Sequence, residues 1–503
     1  MSNLYDILAA RFPADRASPA IELPDGRLHS YRDLEAASAR LAHGLEAAGA
    51  RPGDRVMVQV EKTPEAVFLY LACLRAGLVY LPLNSGYRQS EVEYFLADAE
   101  PRVVVSDPAS PLAGLPALAE SGARWFSLDQ HGEGSLMDWA AARPAAFDAM
   151  PREDDDLAAI LYTSGTTGKP KGAMMSHRNL SSNALALHRI WGFRPDDRLL
   201  HALPIFHTHG LFVAINTTLL NGTAMIFLPR FDAGEVIRLL PRATVMMGVP
   251  TFYVRLLAAA GFDRALCRHM RLFISGSAPL SGETFDSFRA LTGHVILERY
   301  GMTETNMLTS NPLDGPRRGG SVGLPLPGVE VRIVGPAGES LPAGSVGDIE
   351  VRGPNVFRGY WRNPGKTRGE FRADGFFRTG DVGRFDADGY LSIVGRSKDL
   401  IISGGLNVYP KEVESVIDEM PGIGESAVVG VEHPDFGEAV VAVVTCHPDA
   451  TPPSDAAVIA HAREQLAAFK VPKAVFVVDQ LPRNVMGKVE KNKLRARYRD
   501  IFR

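Results

Sequence analysis

Three cysteines, Cys73, Cys267 and Cys446, are all the thiols that 503 residues carry. They lie far apart and share no Cys-x-x-Cys spacing, which argues against a disulfide framework or a thiolate zinc site. Ordinary thiols of a reducing compartment are expected instead. Long apolar runs are also missing. The nearest, AVFLYLACL at 66–74, is about half of the roughly 20 residues that a membrane-spanning helix needs. The N-terminus, MSNLYDILAARFPADR, carries Asp6 early and has no apolar core, so no secretory signal is expected and the cytoplasm is the expected location. Nor is there a basic excess. A formal charge of −4 and a pI near 6.4 argue against a nucleic-acid face. A small anionic ligand is still allowed, because it needs only a local positive site.

What is present is ample core material. A hydrophobic content of 46% and a charged content of 22% fit a globular protein, and the length suggests two to four units. Short apolar runs at Val56–Val60, Val103–Val105, Ala159–Tyr162, Met225–Leu228, Val245–Val249, Leu272–Ile274 and Val295–Leu297 alternate with helical patterns such as Pro64–Ala76 and Thr251–Ala260. That order predicts an α/β chain with mostly parallel sheet. From about 320 to 395, Gly-rich turns separate VEVRIVG, GDIEVRG and GYLSIVG, which predicts a small antiparallel β unit. After GRSKDLIISGG, a helix (Pro410–Glu419), strands (Ser426–Val431, Ala439–Cys446) and a further helix (Pro453–Leu466) predict a smaller α+β domain. The expected division is a core at 1–395 and a C-terminal domain at 396–503.

The segment with the most chemistry is AAILYTSGTTGKPKGA at 158–173. A strand ends and a run of Ser, Thr, Gly, Lys and Pro follows. Small residues let backbone N–H groups approach an anion, hydroxyls add donors, and Lys169 and Lys171 add charge. This is a phosphate-cradling composition, although not a Walker A loop, which places Gly six residues before its Lys. The bland alternative, a flexible surface loop, fits poorly with a run that directly follows a buried strand.

TSGTTGKPKG resembles the signature loop of the adenylate-forming superfamily: acyl-CoA synthetases, peptide-synthetase adenylation domains and luciferases. LPIFHTHGL (203–211), SGSAPL (275–280), ERYGMTE (298–304), TGD (379–381), GRSKDLIISGGLNVYPKEVE (395–414) and PRNVMGK (482–488) match in order and spacing. The resemblance covers essentially the whole chain, and within the superfamily it looks most like the malonyl-CoA synthetases. It implies that a carboxylate attacks the α-phosphate of ATP, after which the coenzyme A thiol displaces AMP.

It also implies roles. Thr163, Ser164, Gly165, Thr166, Thr167, Gly168, Lys169 and Lys171 would hold the β/γ-phosphates. Glu304, expected at a strand-to-helix turn, would hold Mg²⁺, because a hard cation prefers carboxylate oxygen, and Thr303 would contact the α-phosphate. Ser277, Ala278 and Glu298 would flank the nucleotide, and Tyr300 would stack on adenine. Asp381 would accept the ribose hydroxyls with support from Arg396. Lys488 would neutralise charge as the carboxylate attacks, whereas Lys491 and Lys493 read as solvated charges. The C-terminal domain would turn at Lys398, swinging Lys488 away and presenting Gly404–Gly405–Leu406 to the pantetheine arm. Lys488 would also suit a lysine acetyltransferase and deacetylase as partners, since acetylation deletes its charge. The other partners would be small molecules, with no nucleic acid and no membrane.

The acid pocket rests on ILERYGMTET at 296–305, read as a strand that leads into a charged pair and a Tyr300–Gly301 turn. Arg299 has no duty to ATP. Either it pairs with an internal carboxylate such as Glu298, or it holds the far carboxylate of a short dicarboxylic acid, for which malonate is the leading choice. Arg255 is a second candidate cation, His207 and Ser277 are candidate donors, and Thr208 and Met307 could face the α-carbon and decide whether methylmalonate also fits. FHTHG also offers two histidines to a metal, but no further ligands cluster nearby. The competing functions are a ligase for an acetate-like acid, a domain that loads a carrier protein, oxidation of the adenylate, and a nucleotide-binding protein without catalysis.

Overall fold

The computed structural model describes residues 2–163, 170–403, 406–447, 450–484 and 487–502, apart from the side chains of Pro111 and Asn407. Two large sheets carry its N-terminal part. In the six-stranded sheet the order is Arg124–Ser127, Val103–Ser106, Arg55–Gln59, Val79–Pro82, Leu157–Thr163 and Lys171–Ser176. All neighbours are parallel except the last pair. Val103–Ser106 and Val79–Pro82 are buried throughout, as parallel strands covered on both faces must be.

The nine-stranded sheet has a parallel centre. Near one end lies the antiparallel hairpin of Leu297–Met302 and Asn306–Ser310, with Leu324–Pro325 as the edge strand. Helix Pro64–Arg75 shows why the core is large. Thr63 caps it by accepting from the Ala66 amide and Pro64 starts it, an arrangement that presets the first turn. Every residue in it but Glu65 is buried, as expected of a helix that is apolar all round. Leu69 is fully buried, so Leu69→Ala would cost about 2–5 kcal/mol.

Four antiparallel strands, Glu330–Val334, Gly347–Arg352, Phe377–Phe385 and Leu391–Arg396, form the predicted β unit. It begins at Glu330 rather than near 320, because Leu324–Pro325 joins the nine-stranded sheet instead. A separate sheet, built from Ile401–Ser403, Leu406–Val408, Ile423–His433, Gly437–Cys446 and Ala474–Val477, organises the C-terminal part. It has apolar clusters of its own around Val413 and Val458 and around Leu481 and Leu494.

The expectation for 295–304 needs correction. The strand begins at Leu297 and continues through Arg299 and Tyr300 to Met302. Ladder pairing of Arg299 with Ser310 and of Tyr300 with Thr309 holds it extended. Glu304 therefore sits in the turn between two strands, not at the start of a helix. Among the described residues, no helix is long and apolar enough to cross a membrane.

Candidate active site

The hairpin of Leu157–Thr163 and Lys171–Ser176 puts Thr163 opposite Lys171. Ser164, Gly165, Thr166, Thr167, Gly168 and Lys169 lie outside the described residues, as do Gly404 and Gly405. Both flanks of the loop are fixed. The Tyr94 hydroxyl donates to the Pro170 carbonyl at 2.7 Å, and the Lys171 amine stands 5.4 Å from the centre of the Tyr360 ring.

Tyr360 also reaches the second hairpin, where its hydroxyl donates to Glu304 Oε1 at 3.0 Å. The Phe357 amide holds the Glu304 carbonyl at 2.8 Å. Glu304 is buried, and burial raises its pKa. Thr303, beside it, is half-buried. One buried carboxylate with one oxygen braced fits Mg²⁺. That ion keeps several waters and takes one or two carboxylates together with substrate phosphates, not an all-protein cage. Among the described residues no group of three or more His, Cys, Asp or Glu side chains forms such a cage.

Tyr300, on the same strand as Arg299, donates its hydroxyl to Asp381 Oδ2 at 2.5 Å. Arg396 Nε meets the other carboxylate oxygen at 2.9 Å, because Asp381 and Arg396 are cross-strand neighbours. This brings three of the expected nucleotide residues together. Ser277 and Ala278 follow the strand Leu272–Ser275 and are half-buried. Ser277 has φ +71°, a strained backbone for a residue with a side chain and one that clusters at functional sites. Glu298 is buried, and its Oε1 accepts from the Leu280 amide at 3.2 Å. Burial pushes its carboxyl up to about 7.

Arg299 is 3% exposed, and its Nε and one Nη have no hydrogen-bond partner among the described residues. It forms no ion pair there either. Adjacent strand residues point to opposite faces, so Glu298 acts on it only from a distance and makes no ion pair with it among the described residues. Burial lowers its pKa to about 9, which leaves it a cation at neutral pH. Gly276 admits it: a Cβ there would stand 2.4 Å from the guanidinium carbon.

The wall beside Arg299 comes from FHTHG. Burial, then Lys488 and Arg299, push His207 down to about 3. His209, 1% exposed, lies 3.3 Å from the Ser277 hydroxyl through Nδ1, and its backbone N–H donates to His207 Nδ1 at 3.4 Å. In the sequence His209 stands out only as the second histidine of FHTHG, with no role at the acid. Gly276 lies within SGSAPL but carries no signal of its own there, and no local spacing marks Tyr360. Thr208 is buried with no partner for its hydroxyl among the described residues. The Met307 side chain joins the main core, and Asn183 bonds both its N–H and its carbonyl.

Two expectations fail here. Arg255 is exposed, because helix Pro250–Leu257 buries Tyr253 and Leu256 and turns Val254 and Arg255 outward. It cannot serve as the second cation of a buried pocket. Lys491 is not a free solvated charge: its amine lies 2.5 Å from Oε1 of the buried Glu414. Lys493 does stay exposed, paired with Glu490.

Lys488 comes from the far end of the chain. Asn484 bonds its backbone N–H, and Gly487 takes φ +74°, which favours glycine. A Cβ on Gly487 would touch Thr251 at 3.6 Å, so this turn docks on the N-terminal part. The Lys488 side chain keeps access to solvent in a cleft whose walls crowd it. Desolvation and then Arg396 lower its pKa to about 8, while Asp381 and Glu304 oppose them, as does the water that still reaches the amine. His447 reaches Glu283 at 3.4 Å across the same junction. Lys398 lies in the short turn Ser397–Asp399, and Asp399 is tied to Arg495 at 2.7 Å. Leu406 is half exposed. A cavity of about 550 Å³ between Arg178, Asn179, Arg352, Arg358 and Arg368 contains none of these residues.

Comparison with known proteins adds relatives to this geometry. The AMP-binding enzyme family model matches residues 7–361, and the model of the AMP-binding enzyme C-terminal domain matches 412–488. A feruloyl-CoA synthase from an Amycolatopsis species is 37% identical over 94% of both chains. A malonate–CoA ligase from Arabidopsis thaliana is 34% identical, over 94% of this chain and 85% of that one. The crystal structure of ATP-bound MatB from Rhodopseudomonas palustris is 55% identical over the whole of both chains, with a TM-score of 0.97. The apo form of that protein gives 0.87.

Proposed function

Because the chain belongs to the AMP-binding enzyme family, we propose that it ligates malonate to coenzyme A through an acyl-adenylate, releasing AMP and pyrophosphate. One observation carries the choice of acid: Arg299, a buried cation with no ion pair among the described residues. An acid with a second carboxylate supplies the missing anion. A monocarboxylate leaves the guanidinium buried and unpaired, and sites built for a polar group reject the analogue that lacks it. The relatives that act on malonate support this reading. A bulky aromatic acid finds a charge where it would need apolar space.

In the first half-reaction Lys488 supplies positive charge between the attacking carboxylate and the α-phosphate. A positioned cation of this kind is commonly the largest single catalytic contribution. Glu304 would hold Mg²⁺, whose chemistry is to neutralise phosphate charge, with Thr303 at the α-phosphate. Tyr300, Ser277, Ala278 and Glu298 line the nucleotide, and Asp381 with Arg396 takes the ribose. Thr163 and Lys171 flank the loop assigned to the β/γ-phosphates. His207, uncharged at neutral pH, donates to the acid beside Arg299 without adding a second cation. Thr208 is assigned to the α-carbon, where it decides whether methylmalonate is tolerated.

In the second half-reaction the C-terminal domain, 396–503, turns at Lys398 against the core, 1–395. Lys488 leaves, and the loop that ends at Leu406 lines the path of the thiol. Acetylation of Lys488 by a lysine acetyltransferase would stop the first half only. AMP release in the presence of coenzyme A, measured over C2–C6 mono- and dicarboxylic acids and over benzoate, tests the reading. Malonate should lead the panel and should lose most of its advantage in Arg299→Ala. Preference for acetate or for an aromatic acid would reject the malonate reading.

A further inference from the structure

One buried lysine has no task in the reaction above. Lys62 is 8% exposed and has no ion pair among the described residues. Its amine donates to His201 Nδ1 at 2.8 Å and to the His201 carbonyl at 2.8 Å. It also stands 4.2 Å from the centre of the Phe227 ring. His201, 1% exposed, ends the strand Leu199–His201, and its Nε2 lies 2.9 Å from the Gly210 carbonyl.

These contacts fix the imidazole. A carbonyl only accepts, so Nε2 carries the proton. The amine donates, so Nδ1 offers its lone pair. The ring is neutral, held well below its ordinary pKa by burial and by Lys62. Its orientation is set from both sides, as the partner of one ring nitrogen sets the role of the other.

The far end of this chain is the wall of the acid pocket. Gly210 lies in the π-helical segment His209–Ile215, a rare geometry that is frequent at functional sites. A Cβ on Gly210 would stand 2.0 Å from the Pro204 carbonyl oxygen, so the backbone is wedged there. The Leu211 N–H donates to the His207 carbonyl at 3.0 Å, and His209 contacts Ser277 and His207. A shift of the Gly210 carbonyl would therefore move both histidines that stand beside Arg299.

We propose that Lys62 and His201 are positioning residues for the acid site, aligning the 206–210 wall with Arg299 through the Gly210 carbonyl. The proposal rests on the reading of that pocket as the site of the acid. Displacing a binding group by about 1 Å can cost on the order of a hundredfold, so a large effect can arise without any contact between Lys62 and the substrate.

The test compares Lys62→Met, His201→Leu and His201→Gln in acid-dependent pyrophosphate exchange. It adds ring ¹⁵N NMR of His201 and thermal denaturation. Lys62→Met and His201→Leu should raise the KM for the acid at least about tenfold, with the KM for ATP within about twofold. His201→Gln, which keeps a donor toward Gly210, should recover most of that loss. In the wild type His201 should show a bare Nδ1 and a protonated Nε2, a signature that Lys62→Met erodes. Equal shifts in both KM values, an unchanged acid KM in folded Lys62→Met, or failure of both Lys62→Met and His201→Leu to fold would overturn the proposal. If the wild type activates no acid in the panel, the functional reading fails on its own, while the ¹⁵N signature still reports on the Lys62–His201 contact.

Discussion

Asp381 and Arg396 face each other across neighbouring antiparallel strands, with Oδ1 and Nε 2.9 Å apart, and the Tyr300 hydroxyl takes the other carboxylate oxygen at 2.5 Å. The carboxylate is thus oriented through both of its oxygens by the protein's own groups. Asp381→Asn removes the charge that both neighbours meet. Hydrogen bonds to charged groups are worth about 1.5–3 kcal/mol, so the KM for ATP should rise at least about tenfold while the KM for malonate hardly moves. Steady-state kinetics with each substrate varied checks this. A malonate-selective defect would displace Asp381 from the nucleotide site.

Lys488 divides the two half-reactions. Lys488→Ala should abolish malonate-dependent pyrophosphate exchange, while synthetic malonyl-AMP and coenzyme A still give the thioester. Equal loss of both steps would sink that division. A pH profile follows from the same amine. Crowding lowers its pKa to about 8, so it is charged below that pH and neutral above it. For the exchange reaction, kcat/KM, which reports the free enzyme, should fall as pH rises through about 8. The kcat profile should break at a higher pH, because bound anions favour the ammonium form.

Gly276 offers a way to move Arg299 without deleting it. A Cβ would stand 2.4 Å from the guanidinium carbon, so Gly276→Ala must displace the side chain. The KM for malonate should rise on the order of tenfold or more, the scale of one charge-assisted hydrogen bond, with acetate turnover little changed. Equal losses for malonate and acetate would instead indicate a distorted strand.

Glu304 carries the metal prediction. Its pKa is raised by burial, so lowering the pH protonates it earlier than an exposed glutamate. The apparent Mg²⁺ affinity should therefore weaken as pH falls, and chelating Mg²⁺ should stop adenylate formation. Tyr360→Phe removes the hydroxyl that braces Oε1 and should raise the Mg²⁺ concentration needed for half-maximal exchange several-fold, roughly 1 kcal/mol. Exchange that ignores both Mg²⁺ and Glu304→Gln would remove this assignment.

The amino-acid sequence by itself determined the fold class and most of the element order, because hydrophobic period and turn residues act over a few positions. It also carried the candidate nucleotide residues, which sit in contiguous motifs. Only the tertiary structure decided what each charge meets. Arg255 and Arg299 are the same residue type, yet the helix turns one outward and the strand buries the other. Lys491 reads as a solvated charge in the sequence, yet the buried Glu414 lies against its amine. Lys488 reaches the surroundings of Asp381, Glu304 and Arg396 from about a hundred residues or more away, and Lys62 meets His201 across 139 positions. Local spacing encodes backbone conformation. The protonation and pairing of a side chain depend on desolvation and on neighbours delivered by distant segments, and those exist only once the chain has folded.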